Sequence, residues 1–208
     1  MQATTETIEV FDHTAIDEVA ELFMDRLPED FCSLMGSGFL RKHFLPHFLG
    51  IHPHIGYVAK QGGQIAGFAL GAKAGGYYPN FIKMHFMTLA IYSTTACLRD
   101  ISKLNYFFDV GQLMFGVDAF NPLDDDLELL YLCVAKGYQG TGIGARLIEK
   151  FLRQGQQLGF GRCVLKTFAA MENLNQFYRK CGFDSLHEHR GRVWFSHPIT
   201  PRNEGSAT

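Results

Sequence analysis

The sequence has no run of about 18 consecutive apolar residues, so nothing in it reads as a membrane span. It has no C-x-x-C pair among its 5 cysteines, Cys32, Cys97, Cys133, Cys163 and Cys181. An odd count without paired spacing argues against a disulfide framework and predicts buried free thiols in a reducing, cytoplasmic setting. Neither sign of charge is in surplus: 19 Lys and Arg stand against 21 Asp and Glu, a net charge of −2. That balance supplies no polybasic surface for nucleic acid or membrane. The first ten residues, MQATTETIEV, lack the basic and apolar segments of a secretory signal, so none is expected. Internal repeats are also missing. What is abundant is aromatic: 19 Phe and 8 Tyr imply a large aromatic core, an aromatic pocket or a partner surface. The 208 residues are expected to form one domain over residues 1–200, followed by a polar, disordered tail at 201–208.

The most informative stretch runs LELLYLCVAKGYQGTGIGA, from Leu127 to Ala145. Leu127 to Val134 is apolar save Glu128 and Tyr131, and reads as a buried strand. A short polar turn, Ala135 to Tyr138, precedes Gln139-Gly140-Thr141-Gly142-Ile143-Gly144. Beyond it Ile143, Leu147, Ile148, Phe151 and Leu152 fall on one face of a helix, with Glu149 and Arg153 an i,i+4 pair on the other. A strand feeding a glycine turn and a helix start holds anions, because the first helical N–H groups lack partners and the dipole is positive there. The expected ligand therefore carries phosphate. A Walker-type loop needs Lys-Ser/Thr after its last glycine, whereas Ala145-Arg146 follows Gly144. The dinucleotide fingerprint matches Gly140, Gly142 and Ala145. It should begin where the strand ends and be followed by a carboxylate after the next strand, and neither holds here.

Gln139-x-x-Gly142-x-Gly144 after an apolar strand resembles the acyl-CoA motif of the GNAT (Gcn5-related N-acetyltransferase) superfamily. The likeness continues in order through Arg162-Cys163-Val164-Leu165-Lys166-Thr167, similar to the next GNAT strand, and Phe177-Tyr178-Arg179-Lys180-Cys181-Gly182-Phe183, similar to the closing FYxKxGF segment. The resemblance implies an α/β fold: a mixed, mostly antiparallel sheet flanked by helices. A helical insertion at residues 77–126 is a departure from the simplest members. It implies acetyl-CoA as co-substrate, no metal, and direct transfer to a primary amine in a ternary complex. It also implies cofactor contacts from backbone at Leu132, Cys133 and Val134, and from Gln139, Gly140, Thr141, Gly142, Ile143 and Gly144. Where many members carry a CoA-contacting asparagine this chain has Met171, with Asn173 and Asn175 as substitutes.

Amine acetylation needs a proton acceptor for the amine and a proton for the departing thiolate. Glu128, eleven residues before Gln139, matches a family glutamate that acts as base; a carboxylate in an apolar strand would have its pKa raised, which suits that task. The competing reading is a solvent-facing carboxylate beside Asp124, Asp125 and Asp126, itself read as a solvated turn. Tyr178 matches the family tyrosine that protonates the CoA thiolate, although a core tyrosine on the face of Leu174, Phe177 and Cys181 would look the same. Tyr131 is expected to alternate with Leu129 and Cys133, facing opposite to Glu128, as core or acyl-pocket wall. His43, His47, His52 and His54 cluster, but Pro46 interrupts their helix and no carboxylate is suitably spaced, so no metal is expected.

The remaining elements fall in the family's order. Thr7 to Phe11 is expected as a strand, and Ala15 to Arg26 as a helix capped by Thr14. Phe31 to Leu49 reads as two short helices, and Ile55 to Leu70 as a hairpin turning at Gly62-Gly63. Gly71 to Gly76 reads as a flexible link, and two or three helices follow from about Asn80 to Gly116. His187 and His189 alternate on a late strand, with at least one expected to face solvent. The acceptor is not encoded in these motifs. A small amine and a protein N-terminus or lysine both fit, as does an acyl-CoA sensor without turnover. The aromatic insertion serves equally as acceptor wall or homodimer surface.

Overall fold

The computed structural model describes residues 6–100, 122–123 and 125–199. Seven strands form one sheet in the order β1-β2-β3-β4-β5-β7-β6. They are β1 (Glu6–Val10), β2 (His54–Gln61), β3 (Gln64–Lys73), β4 (Asp126–Val134), β5 (Arg162–Phe168), β6 (Asp184–His189) and β7 (Arg192–Pro198). Every pairing is antiparallel except β4 with β5.

One face of the sheet carries α1 (Ile16–Arg26), α2 (Phe31–Leu34), α3 (Ser37–Phe39), α4 (Leu45–Gly50) and α5 (Tyr77–Arg99). The other carries α6 (Ile143–Gln157) and α7 (Glu172–Lys180). The first face accounts for much of the aromatic surplus: Phe11, Phe23, Phe39, Phe44, Phe48, Phe68 and Phe81 are all fully buried there. On α1, Val19, Ala20, Leu22 and Phe23 point inward, each large side chain contributing about 1.5–3 kcal/mol by leaving water. Ile16, packed against the same layer, is only partly buried.

Several local expectations need correction. The cap before α1 is Asp12, whose Oδ1 accepts from the Thr14 backbone N–H at 2.8 Å and opens a short 3-10 turn at His13–Ala15. Thr14 instead donates its hydroxyl to the same carboxylate. The two helices expected over Phe31–Leu49 are four pieces, with a wide turn at Leu40–Phe44 between α3 and α4. Pro46 does not break them, because it lies in the first turn of α4, where its missing N–H has no intrahelical partner. The insertion begins with a single helix, α5, bent at His85 (φ −113°, ψ 20°); the helices expected beyond it lie outside the described residues, as does the tail.

Gly71 is not part of a link but sits inside β3. An added Cβ would overlap the Phe151 ring of α6 and the Glu128 carbonyl oxygen, so this glycine lets the helix lie against the sheet. The three-aspartate run is not simply solvated either. Asp126 is fully buried and accepts from Arg162 Nε at 2.8 Å, from Arg162 Nη2 at 2.6 Å and from the Leu123 N–H at 2.8 Å.

Two stability results follow from these packed positions. Gly71→Ala is expected to cost roughly 1–3 kcal/mol through overpacking, read as a lower urea midpoint at unchanged slope. Asp126→Ala should cost roughly 1–3 kcal/mol in the same titration, because it removes the buried acceptor of two Arg162 bonds and of the Leu123 N–H.

Candidate active site

The pairing of β4 with β5 covers only Asp126–Arg162, Leu127–Cys163 and Glu128–Val164. Both strands continue, β4 still paired to β3 and β5 to β7. Between them a wedge opens, and among the described residues the β5-facing edge of β4 over Leu130–Val134 has no strand partner. The Asp126–Arg162 ion pair fastens its closed end. Backbone N–H and C=O groups on such an edge can pair with an extended, amide-bearing ligand as another strand would.

A bulge decides which side chains face which layer. The β3–β4 register slips between Leu70 and Gly71: Leu70 lies opposite Tyr131 and Gly71 opposite Leu129, leaving Leu130 as the extra residue. Leu127 and Leu129 therefore pack with α6, while Tyr131 and Cys133 pack with α1 to α5. Glu128 lies opposite Ala72, a member of the first layer, so it shares its face with Tyr131 rather than opposing it. The expected alternation of Leu129 with Tyr131 fails because an unpaired residue intervenes, and no side-chain pattern marks it. Leu132 and Val134 are half-buried toward the second layer.

Above the wedge, Ala135 leads into a 3-10 turn at Lys136–Tyr138, and Gln139, Gly140, Thr141 and Gly142 are exposed. Gly142 is left-handed (φ 87°) and stands at the head of α6, with no side chain capping the first turn. The N–H groups of the opening residues, Ile143, Gly144 and Ala145, have no intrahelical partner, and such a helix start can hold an anion. Thr141 is held in place, its hydroxyl donating to Tyr138 O at 2.7 Å and its carbonyl accepting from Arg146 at 3.3 Å. Arg146 is itself fixed by both carboxylate oxygens of Glu6. Gly144 is buried where a Cβ would stand 3.2 Å from the Phe177 ring, which brings α7 against the start of α6. The Glu149–Arg153 pair on the outer face forms at 2.7 Å.

Tyr178 reaches the wedge from α7. It is buried among Phe177, Phe183 and Phe195, and its hydroxyl bonds to no other described residue. Burial raises its pKa first, and the thiols of Cys133 on β4, Cys163 on β5 and Cys181 raise it further. A phenol between the parted strands that keeps its proton at working pH can act as a donor. Asn173 is exposed on the first turn of α7. Asn175 is buried and engaged: its Oδ1 accepts from the Thr167 hydroxyl, and its Nδ2 donates to Phe168 O at 3.1 Å and Ala169 O at 3.3 Å.

Three polar groups that no motif marked meet on the first face. Asp30 Oδ2 accepts from the Tyr131 hydroxyl at 3.3 Å, and Tyr131 Oη accepts from the Tyr78 hydroxyl at 2.8 Å. They come from α5, β4 and the residue that caps α2, so no local spacing could have united them. His47 Nδ1 lies 3.2 Å from His85 Nε2, burial lowers the pKa values of His43 and His47, and among the described residues no three His, Cys, Asp or Glu side chains could hold an ion. His187 is half-buried and His189 exposed on β6. The five cysteines are free, with Cys32, Cys133 and Cys163 buried and Cys97 and Cys181 partly so. No helix among the described residues is long and apolar enough to cross a membrane.

The fold is widely shared. An N-acetyltransferase from Staphylococcus aureus Mu50 superposes with a TM-score of 0.63 at 11% identity, over 95% of this chain and 100% of its own. The ribosomal-protein-S18-alanine N-acetyltransferase of Escherichia coli gives 0.59 at 13%, over 98% and 100%. A Salmonella typhimurium protein solved with acetyl-CoA gives 0.59 at 11%, over 98% and 99%. Among curated protein sequences none matches. The model of the acetyltransferase (GNAT) family matches residues 16–183, which takes in the wedge, the glycine turn and Tyr178, and on that match the chain belongs to the GNAT acetyltransferase family.

Proposed function

We propose that this protein transfers an acetyl group from acetyl-CoA to the primary amine of a small molecule, by direct attack within a ternary complex. The observation that carries the reading is the parting of β4 from β5 directly below an uncapped helix start. Those two features suit the two ends of one ligand, an amide-bearing chain and a phosphate group, and the Salmonella structure of the same fold is described with acetyl-CoA.

The residues then divide the work. Gln139, Gly140, Thr141 and Gly142, with the N–H groups of Ile143 and Gly144, hold the phosphates. The main chain of Leu132, Cys133 and Val134 pairs with the extended arm and polarises the thioester carbonyl. Asn173 contributes from α7, and Asn175 acts by pinning that turn to the end of β5. Acetyl-CoA supplies an activated acyl group with a thiolate leaving group. Glu128 takes the proton that the ammonium must lose, and Tyr178 donates one to the departing sulfur. A peptide N-terminus or lysine is the alternative acceptor, and binding without turnover the alternative activity.

The test is release of CoA from acetyl-CoA with spermidine, glucosamine and an alanine-terminated hexapeptide as acceptors. Turnover with one of the first two supports the small-molecule reading, and turnover with the hexapeptide alone moves it to protein termini. Acetyl-CoA binding with no turnover on any of the three supports the sensor. Tyr178→Phe should lower kcat by roughly 10²-fold with acetyl-CoA affinity unchanged, and Glu128→Gln should do the same; an unaltered kcat removes that residue from catalysis. Gly142→Ala places a Cβ 2.7 Å from Arg146 Nη1 on a left-handed backbone, and calorimetry should show acetyl-CoA binding weakened by about tenfold.

A further inference from the structure

Arg146 makes contacts that nothing in the spacing of α6 requires. It lies on the first turn of α6, yet its side chain reaches an edge of the sheet. Its Nε donates to Glu6 Oε1 at 2.6 Å, and its Nη2 donates to Glu6 Oε2. Glu6 opens the edge strand β1, 140 residues earlier in the chain. Nη1 and Nη2 also each donate to the Thr141 carbonyl at 3.3 Å. Four of the five guanidinium N–H groups are thus engaged within the chain. The two sides of the helix start differ. Gly144 faces the wedge, where an added Cβ would lie 3.5 Å from Val134 of β4. Arg146 follows two residues later, about 200° further round the helix, and serves the β1 side. Thr141 O is therefore drawn away from the wedge. A trans peptide points its C=O and its N–H in opposite directions. The Gly142 N–H, on the same peptide plane as Thr141 O, is turned back to the wedge side, and among the described residues no backbone carbonyl accepts from it.

We propose that Glu6 and Arg146 are positioning residues for the cofactor, a brace that holds the Thr141–Gly142 peptide with its N–H toward the phosphates of acetyl-CoA and its carbonyl oxygen away from them. This rests on the reading of the glycine turn as the phosphate seat. Neither side chain meets the cofactor. A backbone N–H facing a phosphate attracts it, and a carbonyl oxygen in the same place repels it. Gly140 and Gly142 both have left-handed backbones, and glycine tolerates the flipped peptide as readily, so the turn does not fix this plane alone. The Thr141 hydroxyl bond to Tyr138 O holds the side chain and leaves the following peptide free to rotate. Glu6 does two things: it keeps the guanidinium on Thr141 O, and it balances the charge that would otherwise draw Arg146 to the phosphate.

Folding and binding can be told apart here. The Arg146 side chain is 44% accessible and that of Glu6 22%, and ion pairs in such positions add little to stability. Removing the pair should leave the melting temperature close to that of wild type. For binding, charge alone and the brace give opposite signs. Glu6 is a negative charge beside an anion seat, so on charge alone its loss should tighten the hold on CoA. On the brace its loss frees Arg146 from Thr141 O, lets the peptide turn and weakens that hold.

The experiment measures acetyl-CoA binding by calorimetry, with melting temperature alongside, for wild type, Glu6→Ala, Arg146→Met and the double variant. Steady-state transfer to whichever of spermidine, glucosamine and the hexapeptide is turned over is followed with two donors, acetyl-CoA and acetyl-pantetheine, which keeps the amide-bearing arm and lacks the phosphates. The brace predicts that each single variant weakens acetyl-CoA binding by about tenfold, seen in Kd and as a raised KM with kcat retained at saturation. Acetyl-pantetheine should scarcely separate variants from wild type, and the double variant should lose no more than either single one. Tighter or unaltered acetyl-CoA binding in Glu6→Ala, additive losses, an equal loss with acetyl-pantetheine, or an affinity that falls only with the melting temperature would each overturn the brace while leaving the turn as phosphate seat. If no amine is turned over, the Kd values decide alone. A wild type that binds no acetyl-CoA would instead overturn the phosphate reading itself, and the brace with it.

Discussion

The short parallel contact between β4 and β5 is the constraint on which the molecule turns. It is fastened at its start by the ion pair of a buried Asp126 with a partly exposed Arg162, and ends two residues later. Were the ladder to continue, the β4 edge would be satisfied by β5 and no extended ligand could reach it. The outer partners prevent the strands from drifting further: β3 holds β4 to Val134, and β7 holds β5 to Phe168. The wedge is therefore a rigid feature set by pairing on its flanks, and the Leu130 bulge turns β4 so that Glu128 and Tyr131 share one of its faces.

Each helical layer serves one side of that wedge. On one side, α6 presents its uncapped first turn and α7 brings Tyr178 inward, the two locked by the Phe177 ring lying on Gly144. On the other, α1 to α5 build an aromatic layer crossed by a polar seam, Asp30 to Tyr131 to Tyr78, on the face of β4 that also carries Glu128. Polar groups in a layer this apolar cost stability unless they are paired, which is why the seam stands out against the phenylalanines around it.

What the sequence made legible was local. The apolar run of β4, the glycines at 140, 142 and 144, the amphipathic α6 and the Phe177–Phe183 segment each carry a spacing that one element imposes on its own residues, and all four stand where expected. The hairpin at Gly62-Gly63 was readable for the same reason. What escaped depended on distant partners. Asp126 looked like one of three turn aspartates because its partner lies on β5. Gly71 looked like a linker because the ring and carbonyl that demand a glycine come from α6 and β4. Tyr131 shares the face of Cys133 as read, but it was set with Leu129 and opposite Glu128 because a bulge has no side-chain signature, and Asp30 went unmarked because its tyrosines belong to β4 and α5. Asn175 has the composition of a ligand contact but is occupied in holding the end of β5.

The central claim is that the wedge and the glycine turn together receive an acyl-CoA. Thermal stability in the presence of acetyl-CoA, CoA, NAD and ATP, each at about 1 mM, tests it directly, since a ligand at about 100 times its Kd adds roughly 2.7 kcal/mol to the folded state. Stabilisation by acetyl-CoA and CoA, with none from NAD or ATP, is the predicted result. Stabilisation by NAD or ATP alone, or by none of the four, would contradict it.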